Sequence, residues 1–192
     1  MFLFLDTETA GLSPPDRIVS ICWALYDPQG QEVSIQYHVI YPDGFDIRYR
    51  AVNIHGIATA KARRDGIPAA QALSQFSADI ARFTPELLVC HNVSFDRSTV
   101  LNEYRLLPTK NGLMDSFPCL PIFCTMLQTV HICRIPNGKG GFKRPTLQEL
   151  HRHLLDGPYS DPHHAMHDVR PCARCFFELR SGGNVSWQPT FF

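Results

Sequence analysis

The sequence predicts an α/β fold built on a mixed sheet. Three strand-like segments come first, joined by turns short enough for antiparallel pairing. Helical periods then alternate with two further short apolar runs, the pattern of parallel strands with crossover helices. No shift in composition divides the 192 residues, so one domain is expected over 1–180, followed by a tail over 181–192.

Taken in order, Phe2-Leu3-Phe4-Leu5 is an apolar run that stops at Asp6, which predicts a buried strand over 2–6. Ser13-Pro14-Pro15-Asp16 marks a turn. Ile18, Val19, Ile21, Trp23 and Leu25 make 18–26 a second strand. Asp27-Pro28-Gln29-Gly30 closes a hairpin onto a third strand over 33–40. Residues 41–68 read as a long polar connection containing Asn53-Ile54-His55-Gly56-Ile57. Ala72, Leu73, Phe76, Ile80 and Phe83 fall at helical spacing and predict a helix over 69–83. A fourth strand covers 87–91, and Ser94 is placed to cap a helix that ends near Leu106, ahead of Pro108. A fifth strand covers 122–125, and Thr146 caps a helix over 147–155. Proline is tolerated in the first turn of a helix and not in its interior, so Pro171 starts the final helix near Asp168 or Val169. That helix runs to about Leu179, and Ser181-Gly182-Gly183-Asn184 opens a flexible tail.

Composition excludes several classes. Eighteen Lys+Arg balance eighteen Asp+Glu, so the chain has no strongly basic coat, and attraction to nucleic acid must come from local patches. Hydrophobic residues make up 44%, too many for intrinsic disorder. No apolar run approaches the roughly 20 residues that span a bilayer, and no membrane partner is expected. The apolar start lacks a basic leader and stops at Asp6, which suits a strand better than a signal peptide. Seven cysteines without regular spacing point to reduced thiols in a cytoplasmic protein.

Three acidic segments carry the chemistry. Asp6 and Glu8 are two apart on a strand, so both point to one face at its carboxyl end, where open α/β sheets place ligands. Two close carboxylates need a cation or a shared proton, and oxygen-only ligands favour Mg²⁺ or Mn²⁺. Asp96 in His91-Asn92-Val93-Ser94-Phe95-Asp96 follows the fourth strand and opens a helix, whose positive end favours a carboxylate. His163-His164-Ala165-Met166-His167-Asp168 precedes the final helix, and helical spacing alone pairs His164 with Asp168.

Together these segments resemble the three motifs of the DEDDh, or DnaQ-like, 3′–5′ exonucleases. The match runs through Asp6-Thr7-Glu8-Thr9-Ala10-Gly11-Leu12, His91-Asn92-x-x-Phe95-Asp96 and His163-x-Ala165-x-x-Asp168, in family order. Asn53-Ile54-His55-Gly56-Ile57 is similar to the family's segment between the first two motifs. The first two motifs and Cys124-Thr125-Met126 are similar to those of exonuclease X and of the DNA polymerase III proofreading subunit.

The resemblance implies a ribonuclease-H-like fold, a five-stranded mixed sheet flanked by helices. It implies that Asp6, Glu8, Asp96 and Asp168 hold two divalent cations, Mg²⁺ or Mn²⁺, and that His163 rather than His164 is the general base. Asp6 would bridge both ions, with Glu8 and Asp168 on the first and Asp96 on the second. Thr9, Ala10, Gly11 and Leu12 would meet the terminal nucleotide, with Ile54, His55 and Phe95 against its base and His91 and Asn92 nearby. The implied reaction is hydrolysis from the 3′ end of DNA with release of nucleoside 5′-monophosphates, as in proofreading or DNA repair.

Two competing readings are an RNA-trimming enzyme of the oligoribonuclease or ribonuclease T type and a non-catalytic module that binds a polymerase or sliding clamp. Gln188-Pro189-Thr190-Phe191-Phe192 resembles clamp-binding peptides. Lys139, Lys143 and Arg144 lie on a glycine-rich basic loop suited to phosphate contacts. Cys172 and Cys175 share a helix face and read as core thiols rather than zinc ligands.

Overall fold

Alternation along the first strand sets both faces of the sheet. The computed structural model describes residues 1–11, 16–107, 117–157, 159 and 165–183, with the backbone alone at 118 and 167. Strand β1 (Phe2–Thr9) sends Leu3 and Leu5 to one side and Phe2 and Phe4 to the other. It pairs antiparallel with β2 (Ile18–Tyr26), which pairs antiparallel with β3 (Glu32–Val39). On its other edge it pairs parallel with β4 (Leu87–Cys90), and β4 with β5 (Ile122–Cys124). The order β3-β2-β1-β4-β5 is the mixed five-stranded sheet the sequence implied. All nine residues of β2 are buried, as a strand covered on both faces requires.

Helices α1 (Tyr49–His55), α2 (Thr59–Asp65) and α3 (Ala69–Phe83) lie between β3 and β4, and α4 (Val93–Leu106) follows β4. Helices α5 (Thr125–Gln128), α6 (Val130–Cys133), α7 (Leu147–Leu155) and α8 (Ala165–Ser181) complete the chain, with a 3-10 turn at Phe117–Cys119. On one face, Leu3, Leu5, Ile21 and Trp23 meet Phe76 and Ile80 of α3 and Val100 and Tyr104 of α4. On the other, Phe2, Phe4 and Ala24 meet Leu150 of α7 and Val169, Cys172, Cys175 and Phe176 of α8. The Phe176 ring stands edge-on to Phe2, Phe4 and Phe123 at 5.2–5.5 Å between centroids. Each such buried ring stabilises the α8 contact by about 1.5–3 kcal/mol. Cys172 and Cys175 are therefore core thiols, and none of the seven cysteines is in a disulfide.

Several elements differ from expectation. β1 continues to Thr9 because β2 pairs along its whole length, with a register shift only between Glu8 and Thr9. The polar connection over 41–68 contains α1 and α2, two seven-residue helices without side-chain caps. α4 begins at Val93 with Asn92, not Ser94, in the cap position. α5 and α6 are four residues each, too short for periodicity to reveal. α8 begins at Ala165, so Pro171 sits inside it rather than in its first turn. The amide lost there weakens the helix, but Pro171 and Val169, Cys172, Ala173, Phe176 and Leu179 are buried, and that packing offsets the loss. α7 starts as expected, with a reciprocal capping box between Thr146 and Glu149. Residues 184–192 of the expected tail lie outside the described residues. Among the described residues, no helix is long and apolar enough to cross a membrane.

Candidate active site

Of β1, only Phe2, Leu3 and Phe4 pair with β4, so the end of β1 runs on past this parallel neighbour. The alternation that buries Phe2 and Phe4 puts Asp6 and Glu8 on the α8 side, and Thr7 on the α4 side. Each of those helices brings an aspartate in its first turn: Asp168 on α8 and Asp96 on α4. The positive end of a helix favours a carboxylate there. Asp6, Glu8 and Asp168 each offer an oxygen, and these atoms lie within 4.8 Å of one another. Asp96 Oδ1 accepts two hydrogen bonds from Thr7, from its amide and from its hydroxyl, both at 2.9 Å. Asp168 Oδ1 accepts one from the Tyr159 hydroxyl at 2.5 Å.

Four carboxylates in so small a volume cannot all ionise unaided. Burial, and then the charges of Asp96, Asp168 and Glu8, push Asp6 well above the usual carboxylate range. Burial and the same aspartates raise Glu8 to about 8. Burial raises Asp96 to about 7 against the opposing pull of the Thr7 hydrogen bonds. Asp6 and Glu8 still reach solvent through the cleft mouth while dense protein surrounds their carboxylates. A set of anionic oxygens that repel one another suits a hard divalent cation, which would relieve the repulsion and keep all of them ionised.

The carboxylates line a cleft of about 500 Å³ with His91, Asn92, Phe95, Met126, Arg144 and Tyr159. A side pocket of about 170 Å³ adjoins it, sharing Glu8 and Phe95 and adding Thr9, Gly11, Ile54 and His55. Most of the expected substrate residues are thus brought together. Ile54 is 42% exposed at the rim, available to a base. A Cβ at Gly11 would meet the Asp16 carboxylate and the Arg48 guanidinium, two side-chain ends that would have to move aside.

Three of the expected substrate residues also bond within the scaffold. Ala10 is buried in a small core with Val19, Ile47 and Ile57, its amide and carbonyl bonded to Arg17 and Arg48. His55 Nδ1 accepts from the Ile57 amide, so its Nε2 donates to the Thr9 carbonyl at 3.3 Å. Burial lowers the pKa of this ring. His91 Nε2 donates to the Pro145 carbonyl at 3.0 Å, and its Nδ1 accepts from Thr125 at 2.9 Å. Burial lowers His91 to about 4, so the ring is a neutral brace between the end of β4 and the start of α7. His163 and Leu12 lie outside the described residues.

Sequence reasoning missed Thr7 and Tyr159. Thr7 sits between two singled-out carboxylates, and its odd position on β1 was the available signal. No local signal marks Tyr159, whose contact with Asp168 is made by the fold. In the basic loop, Arg144 lines the cleft, whereas Lys143 is bound to Glu149 at 2.6 Å.

Comparison with known proteins gives a consistent assignment. The family model described as Exonuclease, of the RNase T type, matches residues 3–176. No curated protein sequence matches the chain. E. coli exonuclease I in complex with a dT13 oligonucleotide is similar at TM-score 0.74 and 21% identity, covering 94% of this chain and 41% of that one. The E. coli exonuclease I complex with dA16 gives TM-score 0.72 and 22% identity, covering 94% and 40%. An ExoI/SSB-Ct complex gives 0.72 and 21%, covering 94% and 41%. The chain therefore spans only about 40% of the length of these exonuclease I structures, and at these identities the likeness is one of fold. With the family model spanning nearly the whole chain and the motif carboxylates converging on one cleft, the chain belongs to the DnaQ-like, DEDDh family of 3′–5′ exonucleases.

Proposed function

We propose that this chain is a metal-dependent 3′–5′ exonuclease that hydrolyses DNA from its 3′ end and releases nucleoside 5′-monophosphates. The observation that carries the reading is the convergence of Asp6, Glu8 and Asp168 within 4.8 Å, with Asp96 held beside them, in a family of exonucleases. Asp6, Glu8, Asp96 and Asp168 would hold two divalent cations, Mg²⁺ or Mn²⁺. When bound, such ions neutralise phosphate charge, lower the pKa of water and stabilise the leaving oxygen. His163 takes the proton of the attacking water on an unprotonated ring nitrogen, which an imidazole can do near pH 7. The oxygen of that water bonds to phosphorus and the bond to the 3′ oxygen of the penultimate nucleotide breaks, so the product keeps its 5′-phosphate. The side pocket at Thr9, Gly11, Ile54 and Phe95 receives the terminal nucleotide, its apolar contacts indifferent to base identity.

DNA is preferred to RNA here because the first motif is similar to that of the DNA-acting branch and because the exonuclease I structures hold dA16 and dT13. A role in proofreading or DNA repair, beside a polymerase or sliding clamp, follows from the same resemblance. A peptide of residues 181–192 that bound a clamp would support that partner, and one that did not would remove it.

The test is digestion of 5′-labelled single-stranded DNA and its RNA counterpart with Mg²⁺ or Mn²⁺, with chelator, and with Asp6→Ala. The expected result is a metal-dependent ladder shortening from the 3′ end of DNA, absent in the variant. A ladder on RNA alone would assign an RNA-trimming enzyme. No cleavage by the folded protein under either metal would leave a binding module.

A further inference from the structure

We infer that Tyr159 is a positioning residue for the metal-binding carboxylates, acting through Asp168. The inference rests on the proposed metal-dependent activity. The Tyr159 hydroxyl is 2.5 Å from Asp168 Oδ1, a short hydrogen bond. An ionised carboxylate only accepts, and a phenol already holds its proton at neutral pH, the more so here where burial and the Asp168 carboxylate raise its pKa, so the tyrosine donates. Asp168 is one of the three residues whose oxygens lie within 4.8 Å of one another. With Oδ1 engaged, the Asp168 carboxylate cannot turn about its last torsion without losing the bond, so its orientation toward Asp6 and Glu8 is held.

Tyr159 is itself fixed. Its carbonyl accepts from Gln148 Nε2 at 2.9 Å, and its ring stands edge-on to His151 at 5.4 Å. Both residues belong to α7, a helix with a closed capping box at its start. The phenol therefore transmits the position of α7 to a carboxylate on α8. It lies within the cleft itself, which a purely structural tyrosine would not need. Outer-shell donors of this kind orient metal ligands, and their loss costs about 10–100-fold in metal affinity.

The experiment is a calorimetric titration of the metal-free protein with Mn²⁺, comparing the unaltered chain with Tyr159→Phe. Thermal melting of both checks that the variant is folded. We expect Tyr159→Phe to melt within about 2 °C of the parent and to bind Mn²⁺ about tenfold or more weakly. Its cleavage of DNA should fall at limiting Mn²⁺ and recover as Mn²⁺ is raised. Equal or tighter Mn²⁺ binding by the variant, with the parent binding normally, would overturn the inference and leave the proposed function standing. Failure of the parent to bind Mn²⁺ would overturn both.

Discussion

Thr7 donates twice to one oxygen of Asp96, and the two donors have different fates under mutation. The amide bond survives any substitution except proline, but the hydroxyl bond needs a threonine or serine. Thr7→Val keeps the shape of a 5%-exposed side chain and removes only that hydroxyl. A hydrogen bond to a charged group is worth about 1.5–3 kcal/mol. Losing it moves Asp96 upward from about 7, so less of it is ionised at neutral pH. The expected outcome is a loss of DNA cleavage of about tenfold at pH 7 that shrinks toward pH 9, with Thr7→Ser close to the parent. A loss independent of pH would assign Thr7 to folding alone. The residue was readable as the middle of Asp6-Thr7-Glu8, but its partner was not. Asp96 lies 89 positions away and reaches Thr7 only when α4 docks on the opposite sheet face.

Among the elements, α4 is anchored at its far end by Glu103. Its carboxylate, 1% exposed, accepts from Arg17 Nε and Nη2 at 2.9 and 2.6 Å and from the Ile18 amide at 3.2 Å. These bonds tie the last turns of α4 to the start of β2, and so hold the helix that carries Asp96. Glu103→Ala leaves the partly buried Arg17 charge without its carboxylate, and breaking such a pair costs about 3–5 kcal/mol. Urea denaturation should show a loss of that order, and a change under about 1 kcal/mol would contradict the anchoring. The longer elements were legible because periodicity accumulates over many residues, as in α3 and α7. The short ones were not: α1, α2, α5 and α6 offer at most two turns each, and contacts rather than propensity hold them. Gly56, left-handed at the end of α1, and Gly66 ahead of Pro68 at the end of α2 were the local stop signals in that stretch. Pro171 gave a misleading one, because tertiary packing on the sheet outweighs its local cost.

Across the whole molecule, the acidic cluster stores a pH-dependent instability. Glu8 near 8 and Asp96 near 7 hold protons in the folded chain that the unfolded chain releases at ordinary carboxylate values. Stability therefore falls as pH rises through that window and stays low above it. His91 acts oppositely: lowered to about 4 from 6.5, it makes stability rise with pH between those values. Between pH 6.5 and 8 the raised carboxylates set the direction among the described groups, so the metal-free protein should melt at a lower temperature at pH 8 than at 6.5. Mn²⁺ binds the ionised carboxylates of the folded state and should raise the melting temperature more at pH 8 than at pH 6.5. A metal-free melting temperature that is flat or rising over that range would contradict the clustering of charge.

The sequence by itself determined the order of strands and long helices and the mixed sheet, and its resemblance to the DEDDh exonucleases singled out the four carboxylates. The elements rest on short-range patterns, alternation at period two and helical spacing, whereas the carboxylate set rests on three motifs matched in family order. It determined as well that Asp6 and Glu8 share a face, since the geometry of one strand requires it. The tertiary structure decided which face, because only the docking of α8 tells the two sides of β1 apart. It decided that Asp168 joins Asp6 and Glu8 while Asp96 arrives from the opposite layer, bonded to Thr7. It decided that His91 and His55 are braces with both ring nitrogens occupied, and that Tyr159 meets Asp168. Hydrogen-bond partners far apart in the chain leave no periodic trace, so they become visible only once packing has fixed the distances between elements.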